Sequence, residues 1–347
     1  MSTQHFANTI GIILGAGQST RMKSTRSKLL HDLCGKPVIR HLTDLLRGLG
    51  VPRIIVIVGH DSESIMAELG DDCEYVVQEE RLGTGHAVMQ ALPLIRNHTG
   101  NLLIFPGDSP FLTPEAVQMM IERQVETAVA CSFLTTEFPV TPAYGRVIRN
   151  ASDMPVRIVE DKDCTPEQKA VREVFTSHYC LDAPTGLPLL EKIDNKNAKN
   201  EYYLTDLLGL LSDAGHTLEA VPVADYGMTL GINDRADLAM GVRRLQDRFA
   251  KELMLSGVTI IDPASTYIDV TVTVEPDTVI YPGSVIQGST TIGGHCTIGP
   301  SVHLVDATIG AGSSVRHAVL TDCTVPDGVT VKPFQEVTGQ TPVLVEK

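Results

Sequence analysis

The stretch Ile10-Gly11-Ile12-Ile13-Leu14-Gly15-Ala16-Gly17-Gln18-Ser19-Thr20-Arg21-Met22 runs from a short apolar segment into a glycine-rich loop and then to a basic side chain. An apolar run of this length, bounded by a glycine turn, reads as a buried strand of a parallel sheet. Glycines directly after such a strand let the backbone approach a phosphate closely, with amide N–H groups as donors. A dinucleotide or a triphosphate could occupy such a loop. The dinucleotide fingerprint needs a third glycine, where Thr20 stands, and an acid at the end of a second strand about 20 residues on. The next strand here begins only at Arg53. From Gly17 to Leu30 there is no acid, yet Arg21, Lys23, Arg26 and Lys28 all fall in that run. This suits a polyanion. Arg21 and Lys28 suit a triphosphate whose leaving pyrophosphate must be stabilised as charge develops.

Outward from the loop, strand and helix patterns alternate. Strands are expected at 53–58, 74–77, 101–105 and 127–134, and helices at 37–49, 62–69, 85–95 and 113–123. Thr113 serves as an N-cap before Pro114. The implied fold class is α/β: a Rossmann-like domain with a mixed, mostly parallel sheet covered by helices. Residues 156–160, 173–181 and 217–223 read as further strands and 203–212 as a helix, together a second lobe of the same domain, 1–233. Residues 234–256 form a linker helix, with Leu238, Val242, Leu245, Phe249 and Leu253 along one side.

The grammar changes at Gly257. Aliphatic residues recur every six positions at Ile268, Val274, Ile280, Ile286, Ile292, Ile298 and Leu304. After a one-residue slip they continue at Ile309 and Val315, and the phase returns at Val325 and Val331. A sustained period of six with glycine and small residues at the turns is the pattern of a parallel β-helix, whose coils stack because none can bury its face alone. It is expected to be short and left-handed, over 257–337, with a polar tail at 338–347.

The chain has 347 residues and a formal net charge of −14, which argues against a general nucleic-acid binder. No apolar run reaches the roughly 18–20 residues of a membrane helix. The first eight residues lack the pattern of a signal peptide, so a cytoplasmic location is expected. Seven cysteines without a CxxC pair read as buried reduced thiols.

Gly15-Ala16-Gly17-Gln18-Ser19-Thr20-Arg21-Met22, Lys28-Leu29-Leu30-His31 and Gly35-Lys36-Pro37 resemble the signature of sugar-phosphate nucleotidyltransferases, most closely the uridylyltransferase half of the bacterial GlmU family. The resemblance covers nearly the whole chain. It implies a Mg²⁺-dependent enzyme that makes UDP-N-acetylglucosamine or a close relative from UTP and N-acetylglucosamine 1-phosphate. Leu14, Gly15, Ala16 and Gly17 would cradle phosphates, and Arg21 and Lys28 would hold the triphosphate. Gln78 and the turn Gly83-Thr84 would read the base. In Pro106-Gly107-Asp108, Asp108 would hold Mg²⁺ with Asn233. Tyr144-Gly145-Arg146 and Glu160 resemble the sugar-binding segments, and the stretch 201–206 also resembles the family. Arg21, Lys28 and Asp108 carry the catalytic assignment.

There are three departures from the family pattern. Arg26-Ser27 precede Lys28 where the family has Leu-Pro. Val174-Phe175-Thr176-Ser177 stands where the family has Ile-Asn-Thr-Gly, and a Phe cannot make the hydrogen bond of a sugar-holding Asn. The β-helix stops near Val337, short of the family's acetyltransferase coils, so acetyl transfer is not expected; the resemblance implies that it serves assembly, as a homotrimer. The alternatives are a nucleotidyltransferase for another sugar 1-phosphate or for dTTP, or a non-catalytic sugar-nucleotide-binding regulatory protein.

Overall fold

The computed structural model describes residues 3–59, 62–339 and 345. The polar tail expected at 338–347 lies largely outside them. Two compact units are present: Met1–His31 with Val38–Asp234, and Asp32–Pro37 with Arg235–Lys347. No helix of the described residues is long and apolar enough to cross a membrane.

In chain order the first unit opens with strand β1 (Thr9–Gly15); the two-residue strands β2 (Asp32–Leu33) and β3 (Lys36–Pro37) belong to the second unit, and the first resumes with helix α1 (Val38–Gly48). There follow β4 (Arg53–Val58), α2 (Ser62–Leu69), β5 (Glu74–Val77), α3 (Thr84–Gln90), α4 (Leu92–Ile95), β6 (Asn101–Pro106) and α5 (Pro114–Thr127). The remainder of this unit holds β7 (Cys131–Glu137), β8 (Arg146–Arg149), β9 (Pro155–Val159), α6 (Pro166–Lys169), β10 (Glu173–Asp182), α7 (Ala183–Leu190), α8 (Asp206–Asp213) and β11 (Leu218–Pro222). Thr113 caps α5, accepting from the Ala116 amide.

One nine-stranded sheet runs in the order β11-β7-β10-β6-β1-β4-β5, with β8 and β9 attached beside β10. Strand β1 pairs in parallel with β4 and β6. Residues 173–182 do not form part of a separate lobe. They enter the middle of the sheet as β10, antiparallel to both β6 and β7. Ile10, Ile12, Ile55, Ile57, Leu102, Ile104 and Phe133 belong to one buried cluster of this unit. The expected helix at 85–95 is broken into α3 and α4 around Ala91, with Pro93 in the first turn of α4. The strand expected from 127 begins at Cys131, because α5 persists to Thr127 and ends at left-handed Ala128.

In the second unit, helix α9 (Arg235–Leu255) precedes thirteen short strands, β12 (Thr259–Ile260) through β24 (Glu336–Thr338). They build three parallel sheets, β12-β15-β18-β21, β13-β16-β19-β22-β24 and β14-β17-β20-β23. This is a three-faced β-helix. The register pairs Ile268 with Ile286, Ile286 with Leu304 and Leu304 with Leu320. Leu320, fully buried between Val315 and Val325, is the rung that a strict six-residue count passes over. Buried hydroxyls are satisfied by coil carbonyls: Thr278 bonds Gly293 and Ser313 bonds Pro326. The buried Gln246 of α9 pairs its side-chain amide with both backbone groups of Ile268, at 2.7 and 2.8 Å. All seven cysteines are free thiols and all but Cys164 are buried.

Candidate active site

Strand order reverses between β1 and β6, since β4 lies on one side of β1 and β6 on the other. A crevice beyond the carboxyl ends of parallel strands is expected at such a switch point. The glycine loop leaves β1 there, and residues 107–109 leave β6 there. The two ends are tied by the Gly107 amide donating to the Leu14 carbonyl at 3.0 Å.

The loop carries its lysine back toward β6. The Lys28 amide donates to Ser19 Oγ at 2.8 Å, and Ser27 caps the 3-10 turn Lys28–Leu30. The Lys28 ammonium makes an ion pair with Asp108 Oδ2 and bonds Asn233 Oδ1 at 3.0 Å. Arg21 donates to the same Asn233 oxygen at 2.9 Å. Asn233 is brought there because the Ile232 amide donates to the Asp108 carbonyl at 2.9 Å. Residues 212 positions apart in the chain thus meet around one oxygen.

Two cavities adjoin at this wall. The first, of about 520 Å³, is lined by Leu14, Gly15, Ala16, Gly17, Lys28, Gln78, Gly83, Thr84, Pro106 and Asp108, and also by Gln18, Arg81, Ser177 and Glu201. A side chain at Gly17 would meet nothing within 4 Å, so packing does not require a glycine there, and its absence leaves the cavity open. At Gly83 packing does require one: φ is +117° and a Cβ would strike the Tyr202 backbone at 2.4 Å. Gln78 is buried, and its amide nitrogen donates to the Gly83 carbonyl at 3.1 Å. Thr84 Oγ accepts from the Leu204 amide at 3.1 Å.

The second cavity, of about 270 Å³, is lined by Pro106, Asp108, Tyr144, Gly145, Glu160, Ser177 and Asn233, with Phe175 and Thr176 along one wall. Burial pushes the Glu160 carboxyl above its usual range, partly countered by a 3.1 Å hydrogen bond from Thr205. Arg146 does not line either cavity. It is buried in an ion pair with Asp161 at 3.2 Å, a structural role beside Gly145. Gly107 and Arg21 also line neither: Gly107 packs on β1, and Arg21 is tied to Asn233. Phe175 is 2% exposed and packs edge-on against Phe133 and Tyr179, at 5.6 and 4.7 Å between ring centres. Tyr203 and Asp206 line a separate cavity of about 380 Å³, which shares Glu160 with the second. Arg81, Ser177 and Thr229 line these cavities in addition to the residues expected from the sequence. Arg81 had a readable signal, a cation directly before Leu82-Gly83-Thr84; Ser177 and Thr229 had none.

Residues 11–167 match the family described as MobA-like NTP transferase domain. With the mixed, mostly parallel sheet, this match makes the chain a member of the nucleotidyltransferase class. "Bifunctional protein GlmU" from Geobacillus sp. (strain WCH70) is 41% identical over 326 residues, covering 94% of this chain and 71% of that protein. The protein of the same name from Geobacillus thermodenitrificans (strain NG80-2) is 42% identical with the same coverage. That from Halalkalibacterium halodurans is 39% identical over 331 residues, 95% of this chain and 73% of the relative. The chain belongs to the GlmU family and is shorter than these relatives.

Proposed function

We propose that this chain is a Mg²⁺-dependent uridylyltransferase that joins UTP to N-acetylglucosamine 1-phosphate or a close relative and releases pyrophosphate. The observation that carries the reading is the meeting of Lys28, Asp108 and Asn233 at the wall shared by two cavities. The first cavity, with its glycine loop, suits the nucleotide. The second, with Glu160 and the Gly145 backbone, suits the sugar phosphate. Asp108 and Asn233 fit Mg²⁺: both direct an oxygen at one cationic nitrogen, and an ion that keeps waters and phosphate oxygens needs few protein ligands. Bound there, Mg²⁺ would neutralise charge on the phosphate oxygens.

An oxygen of the sugar phosphate attacks the α-phosphorus of UTP. One P–O bond forms, the α–β bridging P–O bond breaks, and pyrophosphate leaves with the electron pair. The attacking group is already an anion, so no general base is required, and catalysis rests on positioning and charge stabilisation. Arg21 and Lys28 hold the triphosphate, and Gln78 and the Gly83-Thr84 turn face the base.

Phe175 favours a second reading, in which the sugar is not N-acetylglucosamine. Its ring is committed to the core and gives the second cavity an apolar wall. A panel crossing UTP, dTTP, CTP and GTP with several sugar 1-phosphates, with and without Mg²⁺, tests both. Pyrophosphate release is expected only with UTP, a sugar 1-phosphate and the metal together. Release that ignores the sugar phosphate, or none in any combination, would overturn the transferase reading. Preference for another sugar would select the second.

A further inference from the structure

Strand β10 changes register against β7 between Phe175 and Tyr179, and within that irregularity Ser177 has φ +65°. Left-handed backbone is uncommon for a non-glycine residue and unfavourable where nothing requires it. The other left-handed non-glycine residues described in the same unit, Lys23, Ala128, Asp153 and Asn200, lie in turns, loops or at helix ends. Ser177 lies inside a strand.

Its neighbours hold it there. Thr176 Oγ1 donates to the Leu134 carbonyl at 2.9 Å and lies 3.0 Å from His178 Nδ1. A threonine hydroxyl has one proton, and Leu134 receives it, so His178 Nδ1 must carry the hydrogen and donate. His178 is fully buried, its ring lies edge-on to Phe105 at 5.3 Å, and burial pulls its pKa down to about 4. On the other side, the Phe175 ring is in the core and its amide donates to the Gly145 carbonyl at 2.8 Å. With 175, 176 and 178 locked inward, the side chain at 177 is forced out. It is exposed, it lines both cavities, and its hydroxyl has no partner among the described residues. Three other polar side chains of the second cavity are already engaged: Thr176 with Leu134, Thr229 with Tyr226 and Glu160 with Thr205.

We propose that Ser177 is a substrate-binding residue whose hydroxyl hydrogen-bonds the phosphate of a bound sugar 1-phosphate at the seam between the two cavities. A group that spans the seam is a phosphate, because the sugar and the nucleotide lie on opposite sides of it. The proposal rests on the transferase reading for its ligand. The backbone strain at 177 is then maintained by the core so that one hydroxyl faces the reacting phosphates.

Two variants separate the hydroxyl from the strain. Ser177→Ala removes the hydroxyl alone, and Ser177→Gly removes it and relieves the backbone. Calorimetry with N-acetylglucosamine 1-phosphate, glucose 1-phosphate and UTP, each with Mg²⁺, should show sugar-phosphate binding weakened about three- to tenfold in both variants, the scale of one lost hydrogen bond. UTP affinity should stay within about twofold by the same scale, and the thermal midpoint of Ser177→Gly should equal or exceed that of the unaltered protein. Unchanged sugar-phosphate binding in both variants would overturn the proposal, as would equal losses for UTP. If the unaltered protein turns over while the variants bind normally, only this inference fails. If binding depends on Ser177 but no pyrophosphate is ever released, the transferase reading fails and the role of Ser177 stands. If the unaltered protein binds neither sugar phosphate, both fall.

Discussion

The two adjoining cavities are made from different kinds of sequence. One wall of the first is a single contiguous loop, residues 14–18, followed within ten positions by Lys28, so much of its chemistry is written in one short stretch. Its other walls are gathered from residues 78–87, 106–108, 177 and 201, whereas the second cavity has no such stretch and is collected entirely from short segments around residues 106–109, 143–145, 160, 175–177 and 229–233. A contiguous loop carries its backbone geometry wherever its strand goes. A collected cavity exists only after the sheet has closed, and its wall residues also serve as core. A substitution in the second cavity is therefore expected to act on stability as well as on ligand, whereas Gly17 in the first meets no neighbour to disturb.

That difference can be tested by substitution. Phe175→Asn would strip a ring from between Phe133 and Tyr179 and bury an amide instead. It should destabilise the protein by about 3–5 kcal/mol, as large-to-small changes of a buried Phe do, measured by denaturant unfolding. A loss below roughly 1 kcal/mol would show that the wall is not core. A smaller effect is expected at Asp206, next to the shared residue Glu160. Burial, then Asp194, Glu160 and Asp163, raise its carboxyl from 3.8 to about 6. The fold favours the protonated form, so this group's contribution is fully present below pH 4 and is lost as pH rises through 6. Asp206→Asn should stabilise the protein at pH 8 by about 1 kcal/mol, discounted because the carboxyl is half exposed, and the gain should disappear at pH 4. A gain that persists at pH 4 would contradict the assigned cause.

Much of the fold was legible because its periods are local. The apolar strands of the first unit and the six-residue phase of the second each repeat within a short window. Strand β10 was recognised as a strand but not placed. Its insertion between β6 and β7 depends on pairing with residues about 40 and 80 positions away, for which a single sequence carries no sign. Leu320 was passed over because the coil steps shorten there from six residues to five. Among the site residues, Arg21, Lys28, Asp108 and Asn233 do come together. Ser177 was invisible as a site residue because its exposure follows from the β10 bulge and from the committed neighbours Thr176 and His178.

On the proposed function, the two cavities serve one reaction that meets at Asp108. Asp108→Ala tests it most directly, with pyrophosphate release followed from UTP and a sugar 1-phosphate in Mg²⁺ and thermal unfolding run alongside. Turnover is expected to fall by about a thousandfold or more, the scale of losing a preorganised electrostatic group, while cooperative unfolding is kept. Near-normal, sugar-phosphate-dependent turnover in a folded Asp108→Ala protein would contradict the account.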